Sequence, residues 1–143
     1  MINRKIDKAE WKQFFDFLSK QVEGTRAEIE VASLKLGDQF EAEWLPVIGL
    51  VYDHKDNSVE IALEASKRDV VDHIIREPRE IYFAENGRQF MGLDIIDLKG
   101  THHIVKAKCG AITGLYRVLH AAEGCTMMAS YHKRQVGDVG VSV

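Results

Sequence analysis

Cysteine and long apolar runs are scarce in this chain, and each shortage excludes something. Two cysteines in 143 residues, Cys109 and Cys125, make no disulfide framework. They fit a cytoplasmic protein with reduced thiols. No apolar run approaches the roughly 20 residues a helix needs to cross a bilayer. The opening Met-Ile-Asn-Arg-Lys-Ile-Asp-Lys has basic residues with no apolar stretch behind them, so no secretory signal is expected there. The 11 glycines are dispersed at turns and caps and form no phosphate-cradling loop. No His or Cys pair stands at zinc-ligand spacing. No metal, cofactor or membrane partner is therefore expected. No repeat, low-complexity run or linker sets off a second domain. The expectation is one α+β domain over residues 1–107 and a C-terminal extension over 108–143.

What is present is ordinary for a soluble globular protein: 45% apolar and 29% charged residues. A chain of this length can bury a core without staples. The net charge of −3 hides an asymmetry. Residues 1–98 carry 13 Lys and Arg against 20 Asp and Glu, while residues 99–143 carry 6 against 2. A basic tail can seek nucleic acid or an acidic partner. It can equally dock on the acidic body of its own chain.

The stretch from Gln39 to Leu63 organises the rest. Two apolar, β-branched runs flank the turn formers Asp53-His54-Lys55-Asp56-Asn57, which is a hairpin signal. Val47 to Tyr52 is apolar on both parities, so both faces of that strand are expected to be covered. Val59, Ile61 and Leu63 alternate with Ser58, Glu60 and Ala62, which gives the return strand one dry face. Pro46 lacks an amide hydrogen and interrupts the run, and the apolar phase slips beside it. Both point to a bulge that bends the strand.

Before this hairpin, residues 6–24 spell a helix. Trp11, Phe14, Phe15, Leu18 and Val22 share one stripe, opposite Lys12, Asp16 and Lys20. Asp7 with Glu10 suits a capping box, Ile6 with Trp11 a hydrophobic staple, and Gly24 a stop. Three aromatics on a short helix are expected to be core filling. Residues 25–34 and 39–44 alternate as strands around a Gly37 turn. Their Glu28, Glu30, Glu41 and Glu43 read as a wet sheet face rather than a cation site. Ser66 to Ile75 suits either period; one or two helical turns are favoured, with Ser66 and Asp69 as a capping box. Pro78 ends that segment and should hold Glu77 extended. Residues 79–107 read as a three-stranded meander turning at Asn86-Gly87 and Lys99-Gly100. In the tail, Ile112, Leu115, Tyr116 and Leu119 recur at helical spacing, so 111–122 is expected to be a helix.

These motifs resemble a family of short bacterial proteins known only as a domain of unknown function. The resemblance rests on Trp11 and Phe14-Phe15, Gly24, Ile29-Glu30-Val31, Leu36-Gly37, Glu41-Ala42 and Leu45-Pro46-Val47-Ile48-Gly49. It continues through Asp72-His73, Pro78 and Lys99-Gly100-Thr101-His102, and covers roughly residues 5–107. It implies structure only, since cap, turn, bulge and core residues carry no chemistry. The tail departs from it.

The fold expected is an N-terminal amphipathic helix on a strongly bent antiparallel sheet or small β-barrel, Sm-like or SH3-like by analogy, with a C-terminal helical extension. The function expected is a non-catalytic binding or protein-interaction module, with self-association through a strand edge or the tail helix. An Sm-like RNA-binding ring protein is the first alternative. Its acidic body has the wrong sign for phosphate, and only the tail could supply basic contacts, through Lys106, Lys108, Arg117, Lys133 and Arg134. A small enzyme with an acid/base site around His54 or His73 is the second. Asp53-His54, Asp72-His73 and His102-His103 are weak pairs, because neighbours on a strand diverge. The candidate pocket or surface residues are His54, His73, His102 and Cys109. No catalytic, cofactor or metal residue is assigned.

Overall fold

A computed structural model of the chain describes residues 2–22, 25–35, 37–66, 69–86 and 89–108. Strand β1 (Ile2–Lys5) leads through a 3-10 turn (Lys8–Glu10) into helix α1 (Trp11–Val22). Seven strands follow: β2 (Arg26–Ser33), β3 (Gly37–Asp53), β4 (Ser58–Glu64), β5 (Val70–Arg76), β6 (Pro78–Asn86), β7 (Gln89–Asp97) and β8 (His102–Lys108). They form one sheet in the order β1-β6-β7-β8-β2-β3-β4-β5, with every pairing antiparallel.

The bend sits in β3. Its first half pairs with β2, from Gly37 opposite Ser33 to Pro46 opposite Arg26. Its second half pairs with β4, from Val47 opposite Leu63 to Asp53 opposite Ser58. The partner changes at Pro46-Val47, where the proline has no amide hydrogen for a ladder. Trp44 takes φ 52 just before it, and the register slips between Val47 and Gly49. The bulge expected at Pro46 is therefore real, and it divides the sheet into two wings. The sheet does not close: β1 and β5 end it without pairing to each other. A barrel needs that closure, so the bent-sheet expectation holds and the barrel expectation does not.

Helix α1 fills the angle between the wings. Trp11, Phe14, Phe15 and Leu18 are at most 1% exposed, as their shared stripe requires. Trp11 meets Tyr52 of β3 edge-on at 5.3 Å, and Phe14 lies 5.6 Å from Phe83 of β6. One helix face thus grips both wings. Ser19 Oγ accepts the Leu50 amide at 2.9 Å, and a Cβ at Gly49 would lie 3.1 Å from that oxygen. Glycine at 49 lets the helix approach this closely. Burying each large aromatic is worth about 2–3 kcal/mol, so packing dominates over helix propensity here.

Several expectations fail for local reasons. Residues 70–76 form β5, paired to β4 from Val70 opposite Glu64 to Arg76 opposite Ser58. Val70, Val71, Ile74 and Ile75 are β-branched, and a ladder suits them better than a short helix. Ser66 Oγ does donate to Asp69 Oδ2 at 2.9 Å, but the pair closes a bend between strands. Asp7 makes no side-chain cap; its carbonyl accepts from the Glu10 amide at 2.9 Å in the 3-10 turn. Ile6 and Trp11 are both buried, and what joins them is a hydrogen bond from the Trp11 indole to the Ile6 carbonyl at 3.0 Å. Ile48 and Val51 are exposed, so β3 is covered on one face there, not two. Nothing in the sequence pattern pointed to β1. The expected tail helix at 111–122 and the Gly24 stop lie outside the described residues. No helix among the described residues is long and apolar enough to cross a membrane.

Candidate functional site

The residues singled out in sequence do not converge as a group. His54 is exposed in the β3–β4 turn. It lines an open cleft of about 530 Å³ with Lys8, Ala9, Lys12, Tyr52 and Asn57. There the Tyr52 hydroxyl donates to Asn57 Oδ1 at 3.0 Å. Burial, with the neighbouring Asp53 charge, pushes the Tyr52 hydroxyl up. His102 points outward on β8 and pairs with Asp94 of β7 at 2.9 Å. Cys109 lies outside the described residues.

His73 is different, because it meets a residue from the other wing. On β5 it shares the inward parity of Val71 and the fully buried Ile75, while Asp72 points out. On β8 His103 shares the inward parity of buried Val105, and it is 8% exposed. The two dipeptides therefore diverge, as strand geometry requires. The inward members meet, with His73 Nε2 2.9 Å from His103 Nδ1. The other nitrogen of His103, Nε2, lies 3.0 Å from Asp97 Oδ2 at the end of β7. Asp97 is fixed in turn, since its Oδ1 accepts the Lys99 amide at 2.9 Å and the Thr101 amide at 3.0 Å. That is an Asx turn, which Asp favours for this reason. Gly100 completes the turn at φ 84.

The hydrogen positions follow from the chemistry of the three groups. The Asp97 carboxylate only accepts, so His103 Nε2 must donate. A neutral His103 then offers a lone pair at Nδ1, and His73 Nε2 donates to it. His73 Nδ1 is left carrying the lone pair at the end of the chain. Burial, then the neighbouring His103 charge, lower His73 to about 4, so it is neutral at pH 7. For Asp97, burial alone would raise the carboxyl. Hydrogen bonds from His103, Thr101 and Lys99 and the His103 charge outweigh that and hold it below the usual range.

The geometry leaves room for one hydrogen between the two imidazoles. One added proton leaves Asp97, His103 and His73 still able to bond in series. With both imidazoles charged, two N–H donors would face each other. A metal fits less well. The ring centroids are 5.1 Å apart, close to the 2.9 Å gap plus the two ring radii. The rings therefore meet nearly end to end around a proton, rather than converging sideways on an ion. Among the described residues no three His, Cys, Asp or Glu side chains group to hold one. Nor does the His54 cleft include any member of the triad.

Sequence reading singled out His73 and missed Asp97, and it placed His103 in a weak pair with His102. The signal was parity: His73, Asp97 and His103 each stand where their strand otherwise turns apolar residues inward. Comparison with known proteins adds kinship without chemistry. A model of a family of unknown function (DUF5335) matches residues 2–110. A relative from Aquifex aeolicus (strain VF5), itself described as an uncharacterized protein, is 36% identical over 108 residues. The match spans 76% of this chain and 94% of that protein. No solved structure matches. The resemblance drawn from helix, turn and bulge motifs is borne out, and the chain belongs to the DUF5335 family of unknown function.

Proposed function

We propose that this protein is a non-catalytic interaction module that receives an extended strand at the outer edge of β5. One observation carries the reading: β5 ends the sheet and, among the described residues, pairs with β4 alone. Its free edge is a template for another chain. The edge is also anchored from the inward face. Ile75 is fully buried beneath it, and His73 ties it across to His103 and Asp97 on the other wing. A template that is already ordered loses little entropy when a partner pairs with it. In this view the triad positions a strand instead of performing chemistry.

The outer face supports the same reading. Val51, Glu60 and Ile74 stand in one row across β3, β4 and β5. Ile48, Val51, Val70 and Ile74 are exposed, between 45% and 53%. An extended partner would gain apolar contact there as well as ladder hydrogen bonds.

Selection of a random heptapeptide library on the full chain tests the proposal. Bound peptides should perturb the amide resonances of Val70–Arg76, and Ile74→Lys should abolish binding while the fold persists. Peptides that perturb only the His54 cleft, or no selection on a chain that is monomeric, would refute it.

A further inference from the structure

We infer that the strand received at this edge is β5 of a second copy, paired antiparallel with Ile74 at the two-fold axis. The inference rests on the strand-receiving reading and names its occupant. It comes from the outward residues of β5, which are Val70, Asp72, Ile74 and Arg76. An antiparallel pair centred on Ile74 sets Ile74 against the partner subunit's Ile74. It sets Asp72 against the partner's Arg76, and Arg76 against the partner's Asp72. The apolar side chain at the axis is thus flanked by two opposite-charge pairs, both favourable directly across a ladder. On the inward side, His73 falls opposite the partner's Ile75.

Neighbouring registers lose this match. Centring on Asp72 brings two carboxylates together, and like charges directly opposite are destabilising. Centring on His73 sets Asp72 against the partner's Ile74 and Arg76 against the partner's Val70. Only the Ile74 centre satisfies both charges, and a closed two-fold pair needs such self-complementarity.

The other end of the sheet is protected, which makes the contrast informative. The β1 sequence Ile-Asn-Arg-Lys carries Arg4 and Lys5, which pair with Glu85 at 2.9 Å and Glu80 at 3.3 Å. Basic residues on an end strand are a standard guard against pairing. Two copies of β1 would bring like charges together. β5 carries no lysine, and its two charges are of opposite sign.

Sedimentation velocity on the full chain across a micromolar concentration range tests this, with charge-swap variants. The wild type should dimerise. Asp72→Arg or Arg76→Asp alone should weaken the dimer by about tenfold or more, because each turns two attractions into repulsions. The double variant Asp72→Arg/Arg76→Asp should restore it. Mild oxidation of the Ile74→Cys variant should join the two copies by a disulfide at position 74, found by peptide mapping, since residues facing across a ladder lie within disulfide reach. A monomer at every concentration overturns the inference, whether the edge stays empty or another segment of the chain covers it. A dimer indifferent to the swap, with no cross-link at position 74, overturns it too. If the chain is monomeric yet peptides still bind at Val70–Arg76, self-pairing falls and the strand-receiving reading stands. If peptides also fail, both fall.

Discussion

Glu77 precedes a proline and yet takes φ 53, against the extended geometry expected there. Its amide donates to the Asn57 carbonyl at 2.9 Å, and its carbonyl accepts the Leu98 amide at 3.0 Å. Two long-range bonds, from the β3–β4 turn and the β7–β8 turn, hold a conformation that local preference disfavours by about 1–3 kcal/mol. Local sequence could not announce that, because both partners come from other elements. A turn residue whose reason is local was legible: Asp53 accepts the Lys55 amide two residues on, as Asp does in an Asx turn. The triad was legible only in part, since parity flags an inward histidine but not which strand it will face. At this scale the triad predicts a pH dependence. His73 is lowered to about 4 in the folded chain, against an ordinary value of 6.5. Between those values the unfolded chain binds a proton that the folded chain refuses, so stability falls as pH drops from 6.5 toward 4. Asp97, also held low, adds a loss of the same sign at still lower pH. Denaturant midpoints at about pH 7, 5.5 and 4.5 should decline for the wild type, and the decline should be shallower for His73→Asn. Equal slopes for both would show that His73 does not couple to folding.

Elements were legible where one face alone decides their state. Helix α1 is the clear case: its stripe of Trp11, Phe14, Phe15, Leu18 and Val22 is the stripe that is buried. The β6–β7–β8 meander is another, because its alternation and turn residues agree. β5 was not, because β-branched residues at helical spacing satisfy both periods, and only pairing with β4 decides between them. Nor did the run from Val47 to Tyr52 reveal that Ile48 and Val51 stay exposed, since apolar residues on both parities look the same whether or not a layer covers them. The helix predicts a sharp contrast. Phe14 is fully buried, 5.3 Å from Phe15 and 5.6 Å from Phe83. Phe14→Ala should cost about 3–5 kcal/mol, a large share of the roughly 5–15 kcal/mol a domain has. Phe40, on β3 and 52% exposed, should cost under about 1 kcal/mol on the same change. Urea unfolding of both variants checks this. Near-equal losses would mean that α1 is not the plug between the wings.

For the whole molecule, the question is what keeps two wings of one bent sheet at a fixed angle. The chain crosses between them twice, along β3 and at Glu77, which links β5 directly to β6, and two narrow crossings are a weak hinge constraint. Helix α1 ties them on one side, through Tyr52 and Phe83. His73 ties them again through His103 and Asp97, from the last strand of one wing to the β7–β8 hairpin of the other. Removing the second tie should loosen one wing and spare the other. In His73→Ala, Ile75 and the β4 ladder still hold β5 in place, so the strand should open locally instead of unfolding the molecule. Native-state hydrogen exchange should then show the Val70–Arg76 amides exchanging at least about tenfold faster, with β6, β7 and β8 nearly unchanged. The opposite pattern, with β7 and β8 losing protection as much as β5, would mean that the wings open as one unit and that the triad is not what presents the β5 edge. Because the free edge works as a template only while it is ordered, His73→Ala should also weaken any pairing at β5, although it removes no residue from the outer face.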